Sequence, residues 1–402
     1  MKRLVIVGAG HAGAQLCSAL AQAGHVGTVQ LVGAEAHLPY HRPPLSKAYL
    51  KDAEPALQPI RSEQSYVDAG VELCLGEAVV AVDRTQSVAT LASGRRLPYD
   101  RLVLATGTRA RRVPGLPDCP DNLHYLRSAA DAARLRGVWN EARSLTILGG
   151  GFIGLEVAAT AAQAGKTVHL FEAAPRLLAR AVSPEMANHI AHEMRAIGVH
   201  LHLGEAATRF DLEHGRVVAL HAAGATHAVE VLLAGIGAEP ETGLAEAMGL
   251  ACDNGIVVDA HMRTSDERVF AIGDCVRFPY ARWGRPTRLE SVQNANDQAA
   301  NLAATLTGNA APYVALPWFW SDQGVLRLQI AGLMPERSER LIRPGGRPGS
   351  FSVLHFAQGA LSCVESVNAP VDHMAARALL AKGITPDREA AVDPRIPLKS
   401  LI

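Results

Sequence analysis

Two stretches of the chain repeat one pattern of apolar, glycine and small-residue positions. Residues 4–7 (LVIV) form a continuous apolar run. Glycines follow at 8, 10 and 13, then an alanine-rich stretch to residue 23 and a second apolar run at 29–32. Residues 145–148 (LTIL) lead in the same way into GGGFIG at 149–154, an alanine-rich stretch to residue 164 and an apolar run at 168–171. Short apolar runs bounded by glycine predict buried parallel strands, and the small-residue stretches between them predict helices. The two glycine signatures start 141 residues apart, which is a domain-sized duplication. Apolar runs at 102–105, 231–234 and 269–272 end in Thr106-Gly107, Gly235-Ile236-Gly237 and Gly273-Asp274. Strands end this way at the ligand-facing edge of a parallel sheet. From about residue 317 the pattern changes. Runs at 326–330 and 350–356 alternate around a Pro/Gly-rich turn at 344–349, which predicts an antiparallel sheet in a separate α+β domain.

Composition narrows the picture. A chain of 402 residues is too long for one core. Its 39 basic and 39 acidic side chains cancel, which argues against an electrostatic nucleic-acid binder or a polybasic membrane protein. No apolar stretch reaches the ~18 residues of a membrane span, and the N-terminal run is too short and glycine-broken for a signal peptide. The expectation is a soluble, cytoplasmic protein. The six cysteines, at 17, 74, 119, 252, 275 and 363, include no C-x-x-C and no tight cluster. A local redox dithiol, a cysteine zinc site and a covalent haem are therefore not expected, and no metal ligand set is predicted.

The glycines carry the chemistry. Gly8-Ala9-Gly10-His11-Ala12-Gly13 fits G-x-G-x-x-G after a strand and at the start of a helix. The first glycine makes the turn, the second admits a pyrophosphate and the third lets helix and strand pack closely. The free N–H groups and dipole of the helix then hold phosphate. Glu35, 22 positions after Gly13, can bond ribose hydroxyls. Gly149, Gly151, Ile153 and Gly154 repeat the logic, with Glu172 placed 18 positions after Gly154. A carboxylate there accepts from a 2′-hydroxyl and repels a 2′-phosphate, which favours NADH over NADPH. Arg176 and Arg180 follow. They could hold pyrophosphate, hold a 2′-phosphate against this preference, or lie in a solvated loop. Two dinucleotide sites in one chain suit hydride transfer from a nicotinamide to a flavin.

These residues, with PYHRPPLSKAYL at 39–50, LATG at 104–107, GGGFIGLE at 149–156, AGIG at 234–237, AIGDC at 271–275, ESVQNA at 290–295 and PWFWSDQ at 317–323, carry a resemblance. The chain resembles the FAD-dependent, two-Rossmann oxidoreductases related to glutathione reductase. Within them it is similar to the NADH:ferredoxin reductases that serve bacterial oxygenases, of the putidaredoxin reductase and biphenyl dioxygenase ferredoxin reductase type. The resemblance implies an α/β fold with two Rossmann-like dinucleotide-binding domains plus a C-terminal α+β domain with an antiparallel sheet. Residues 1–112 and 240–316 would bind FAD, 113–239 would bind NADH, and 317–402 would form the C-terminal domain. It implies FAD contacts at Gly8, Gly10, Ala12, Gly13, Glu35, Arg42, Lys47, Val79, Ala105, Thr106, Gly107, Arg127, Asp274, Val292 and Trp320. Lys47 would reach the flavin near N5, Asp274 the ribityl chain and Trp320 the isoalloxazine. NADH would meet Gly149, Gly151, Ile153, Gly154, Glu156, Glu172, Arg180 and Gly237. Lys47, Glu156 and Trp320 would be the catalytic residues. From the residues alone, Lys47 is equally a loop lysine, and Glu156 is a carboxylate in the first turn of a helix, where the dipole favours it.

Relatives that pass electrons through a disulfide or a single reactive cysteine carry it in the loop that corresponds here to residues 41–47, HRPPLSK, which has none. The expected acceptor is therefore a one-electron carrier, a [2Fe–2S] ferredoxin that feeds a Rieske dioxygenase or cytochrome P450 of aromatic hydrocarbon catabolism. The segment 277–288 carries Arg277, Arg282, Arg285 and Arg288 and no acid. It is either a docking edge for an acidic ferredoxin or a solvated loop. The alternatives are a rubredoxin- or nitrite-reductase-type NADH flavoprotein and an apoptosis-inducing-factor-like NADH sensor. A monomer or weak dimer is expected.

Overall fold

The computed structural model describes residues 2–116, 120–281 and 284–402. The chain forms two compact units. One comprises Met1–His41, Leu57–Arg109 and Ala238–Ala315, the other Arg42–Ala56, Ala110–Gly237 and Leu316–Ile402.

In the first unit the strands Arg3–Val7, Thr28–Gly33, Val71–Leu75, Arg101–Leu104 and Val269–Ala271 form one parallel sheet. Arg3–Val7 lies at its centre, between Thr28–Gly33 and Arg101–Leu104. Leu4, Val5 and Ile6 have no solvent exposure, as a strand covered on both faces requires. The helices His11–Gln22 and Val292–Leu306 pack together in this unit. An antiparallel excursion of Val79–Asp83, Val88–Leu91 and Arg96–Pro98 interrupts it.

The second unit repeats the plan. Ser144–Leu148 lies between the parallel strands Thr167–Glu172 and Leu232–Ala234, with Val199–Leu203 and Leu123–His124 at the edges. An antiparallel excursion of Ala207–Glu213, Arg216–Ala222 and Ala225–Ala228 again interrupts the plan. The same unit holds an antiparallel sheet in the order Trp318–Gln323, Leu326–Gly332, Ala360–Val367, Phe351–Ala357, Glu339–Pro344. Side chains alternate across its strands. Leu326, Leu328, Val353 and Cys363 join one core with Leu155, Val157, Met186 and Ile190. Ala331, Leu354, Phe356 and Val364 pack on Ala375, Ala376 and Leu379 of the helix Pro370–Lys382. The alternation read from residue 317 onward thus becomes a sheet buried on both faces. Among the described residues, no helix is long and apolar enough to cross a membrane.

A buried arginine ties down the end of the chain. Arg343 pairs with Asp372 at 3.2 Å and donates to the carbonyls of Ala391, Asp393 and Ile396 at 3.0, 2.7 and 2.9 Å. Arg343→Leu is expected to cost about 3 kcal/mol in chemical denaturation, because a largely covered carboxylate and three carbonyls lose their donor. A loss under about 1 kcal/mol would reject that role.

Two buried histidines give the fold an acid limit. Burial lowers both to about 4 from 6.5. Arg377 and Arg327 add to the effect at His373. Arg134 and Arg216 add to it at His124, where Asp131 opposes them. The unfolded chain takes up these protons near pH 6.5 and the folded chain does not. Stability should therefore fall as pH drops from about 6.5 to 4, by roughly 3 kcal/mol per histidine. His373→Leu should flatten that slope in denaturant titrations at stepped pH. An unchanged slope would show that His373 does not contribute.

Candidate dinucleotide and catalytic sites

In the first unit the predicted glycine motifs converge at one end of the parallel sheet, after Arg3–Val7, Arg101–Leu104 and Val269–Ala271. Gly8 has φ +118°, and a Cβ there would lie 2.2 Å from the Ala105 carbonyl oxygen. The turn therefore admits only glycine, and it packs directly on Ala105-Thr106-Gly107. A Cβ on Gly10 would meet nothing within 4 Å, which leaves open space over the start of the helix. No side chain caps that helix. Glu35 accepts a 2.6 Å hydrogen bond from the Tyr40 hydroxyl. Thr106 donates to the Glu241 carbonyl at 2.6 Å. Gly273, beside Asp274, approaches Ala12 so closely that a Cβ would lie 3.1 Å from the alanine methyl. Its N–H donates to Gln298 Oε1 at 2.7 Å, while Gln298 Nε2 is buried with no protein partner among the described residues. Val292 opens the helix Val292–Leu306, whose N-cap Ser291 accepts from the Asn294 N–H at 3.0 Å. Val79 begins the antiparallel excursion, two residues after Glu77, whose N–H bonds Gly33. Open space at the turn, an uncapped helix N-terminus and an orphaned buried donor all fit a dinucleotide.

The second unit reproduces the cradle. Gly149 has φ +99° with a hypothetical Cβ 2.4 Å from the Gly235 carbonyl oxygen, and the helix Phe152–Gln163 starts without a side-chain cap. Gly154 packs on the Gly149 carbonyl. Ile153 is exposed although apolar, at the start of this helix, and Gly237 has open space around a Cβ. Glu172 is held in place. Its Oε2 accepts from the Gly150 N–H and its Oε1 from the Ala174 N–H, both at 2.7 Å. Each oxygen keeps a lone pair for a further donor. Arg176 spends its guanidinium on the carbonyls of Ala179 and Val182, so it locks its own loop, whereas Arg180 is exposed. Arg42 and Arg127 come together, Arg42 Nη1 donating to the Arg127 carbonyl at 2.5 Å.

A charged centre lies in the same unit. Glu156 is 5% exposed, and its carboxylate collects three donors. Lys47 Nζ lies 2.6 Å and Ser46 Oγ 2.5 Å from Oε2, and Ser321 Oγ lies 2.7 Å from Oε1. Lys47 also donates to the Pro43 carbonyl at 3.0 Å. Thr160, one turn along the helix from Glu156, donates to the Ser46 carbonyl at 3.1 Å. The loop Pro43–Ser46, the helix Phe152–Gln163 and the strand Trp318–Gln323 are thereby fastened at one point. Glu156 is the fifth residue of its helix, which has no acid in its first turn. The dipole explanation for it falls, and the ion pair with two hydroxyl donors replaces it. Trp320 is not on this side of its strand. Neighbouring residues alternate, so Ser321 faces Glu156 and Phe319 faces Phe152, while Trp320 lies beside Trp318 at 5.5 Å. Sequence reasoning missed Ser46 and Ser321, although both lie inside quoted motifs.

The expected basic patch is altered by acids from outside it. Arg277 pairs with Asp253, and Arg288 bonds Glu290 at 2.5 Å and the Asp274 carbonyl at 3.2 Å. Arg285 is exposed on the strand Arg285–Thr287. Arg282 lies outside the described residues. Cys17, Cys74, Cys252, Cys275 and Cys363 are all free thiols. Burial pushes Cys17 up to about 12 and raises the other four as well, the opposite of a reactive thiolate.

Residues 2–299 match the pyridine nucleotide-disulphide oxidoreductase family, and residues 318–402 match the reductase C-terminal family. The chain belongs to the pyridine nucleotide-disulphide oxidoreductases. As a member of this family it is an oxidoreductase that works with FAD and NAD(P)H. It is 41% identical over 402 residues to rhodocoxin reductase of Rhodococcus erythropolis, covering 99% of this chain and 94% of that one. Among solved structures it is similar to the ferredoxin reductase for the CYP199A2 system from Rhodopseudomonas palustris, at 40% identity and TM-score 0.94, covering 100% and 99% of the two chains. It is also similar to the reductase in the covalent putidaredoxin reductase–putidaredoxin complex, at 36% identity and TM-score 0.94, covering 100% and 98%.

Proposed function

We propose that this pyridine nucleotide-disulphide oxidoreductase is a cytoplasmic FAD-dependent reductase that carries electrons from NADH to a [2Fe–2S] ferredoxin serving an oxygenase. The observation that carries the proposal is a duplicated dinucleotide cradle combined with a Lys47–Glu156 centre and only unactivated thiols, their pKa raised, among the described cysteines. The names of its full-length relatives, ferredoxin reductases of oxygenase systems among them, support the choice of acceptor.

The unit that contains Gly8 holds FAD in this reading, through Gly8 to Gly13, Glu35, Asp274 and the start of the Val292 helix. Arg42 and Arg127 offer paired cationic residues to its phosphates, with Val79 a further contact. The unit that contains Gly149 holds NADH, with Glu172 on the adenosine ribose and the exposed Ile153 against the nucleotide. FAD, when bound, would supply the acceptor for a hydride from the nicotinamide and the capacity to release electrons one at a time. Lys47 would supply the cation near the flavin ring, where negative charge develops on reduction. Glu156 positions that ammonium rather than touching the cofactor, since its carboxylate is occupied by Lys47, Ser46 and Ser321. Trp320, on the opposite face of its strand, would pack against the flavin ring.

The test is NADH oxidation by the FAD-loaded protein with cytochrome c as final acceptor, with and without purified [2Fe–2S] ferredoxin. Slow turnover alone and a large ferredoxin-dependent rise are expected. Rapid oxygen-dependent NADH consumption, unaffected by several ferredoxins, would overturn the assignment.

A further inference from the structure

The second unit gathers four histidines that the nucleotide chemistry leaves unused. His169 lies on the strand Thr167–Glu172, and His200 and His202 lie on the neighbouring strand Val199–Leu203. His169 stands opposite His200, and Phe171 opposite His202, so these rings share one face of the sheet. His227 joins them from the strand Ala225–Ala228. The rings of His202 and His227 are 5.1 Å apart, and His202 stacks on Phe171 at 4.2 Å. Glu205 lies three residues after His202, with Oε2 3.4 Å from His202 Nδ1. One ligand atom from each of His202, Glu205 and His227 falls within 4.8 Å of the others. His227 Nε2 is buried with no protein partner among the described residues.

We infer that His202, Glu205 and His227 form a binding site for a zinc-type divalent cation, with water as the fourth ligand. Two imidazoles and one carboxylate suit a borderline cation, whereas magnesium and calcium prefer oxygen alone. Bonds of about 2.0–2.1 Å in tetrahedral geometry separate ligand atoms by about 3.4 Å, the spacing of His202 Nδ1 and Glu205 Oε2. The outer partner is also present. His202 Nε2 lies 3.2 Å from His169 Nδ1, so His202 can bind metal through Nδ1 and donate its other N–H to His169. The three side chains are partly exposed. The loop that carries Glu205 is docked on Glu172, Gly204 N–H donating to the Ala174 carbonyl at 2.9 Å and Glu205 N–H to the Glu172 carbonyl at 3.1 Å. Bound metal would therefore sit behind the carboxylate assigned to the NADH ribose. The metal site itself stands whether or not that assignment holds.

The test titrates the chelator-treated holoenzyme with Co2+ and follows the visible absorption of a four-coordinate site. Zn2+ is then added in competition with a chromophoric chelator. One Co2+ per chain, displaced by Zn2+, is expected. His202→Ala, His227→Ala and Glu205→Gln should each weaken binding at least tenfold, and His169→Ala about tenfold. His221→Asn, outside the cluster, should leave binding unchanged. Flavin content and NADH-driven flavin reduction show which variants are folded, and Glu205→Gln is the mildest of them. Zn2+ binding weaker than about millimolar in the wild type, or full stoichiometry retained by folded Glu205→Gln and His202→Ala variants, would overturn the site.

Discussion

Lys47→Met should slow flavin reduction by NADH by about 100-fold, while FAD remains bound and the NADH affinity changes little. The factor follows from removing one preorganised positive group from a place where charge develops, typically a loss of about 10²–10³ in rate. Lys47 is well placed for such a role because its ammonium is fixed by Glu156 at 2.6 Å and by the Pro43 carbonyl at 3.0 Å. The same substitution leaves the buried Glu156 carboxylate without its cation, so stability should fall by about 3 kcal/mol. The two effects separate in the double variant. Lys47→Met with Glu156→Gln should regain most of the stability, because no charge is then stranded, and none of the rate. Glu156→Gln alone should cost about tenfold in rate, since it only loosens the lysine. Stopped-flow bleaching of the flavin and denaturant unfolding measure the two quantities. A Lys47→Met enzyme reduced at a rate within about twofold of wild type would remove the lysine from the chemistry.

The parts of the fold visible in the sequence were those set by local pattern. The two cradles follow from apolar runs and from glycines that no other residue can replace, as the contacts of Gly8 with Ala105 and of Gly149 with Gly235 explain. The antiparallel sheet follows from alternation after residue 317. What local pattern does not encode is partnership across distance. Ser46 and Ser321 meet Glu156 from 110 and 165 positions away, so the residue that looked like a dipole-stabilised helix carboxylate is an ion-pair centre. Counting charges along 277–288 overlooked Asp253 and Glu290, which come from flanking segments and neutralise Arg277 and Arg288. Cysteine spacing says nothing of His169, His202 and His227, of which the first two share a face through sheet register and the third joins them from a separate sheet. Trp320 carries a related lesson. It and Ser321 share a motif, yet the pleat sends them to opposite sides.

Cofactor choice should turn on Glu172. Glu172→Gln is expected to raise the KM for NADH about 10- to 100-fold, the loss of one or two hydrogen bonds to a charged acceptor, about 1.5–3 kcal/mol. The carboxylate is held by the Gly150 and Ala174 N–H groups, so it presents remaining lone pairs and a full negative charge in a fixed direction. Glutamine keeps one carbonyl oxygen for one of those N–H groups and removes the charge that repels a 2′-phosphate. NADPH should therefore lose little or improve, and the ratio of kcat/KM for NADH over NADPH should fall by about 100-fold. Arg176 cannot drive that gain, because the carbonyls of Ala179 and Val182 occupy its guanidinium. Arg180, exposed four residues later, can. Adding Arg180→Ala to Glu172→Gln should cancel the improvement with NADPH and leave the loss with NADH unchanged. Steady-state kinetics with both nucleotides decide the matter. If Glu172→Gln shifts the KM values for NADH and NADPH by the same factor, the carboxylate does not face the ribose, and Glu172 only shapes the glycine turn.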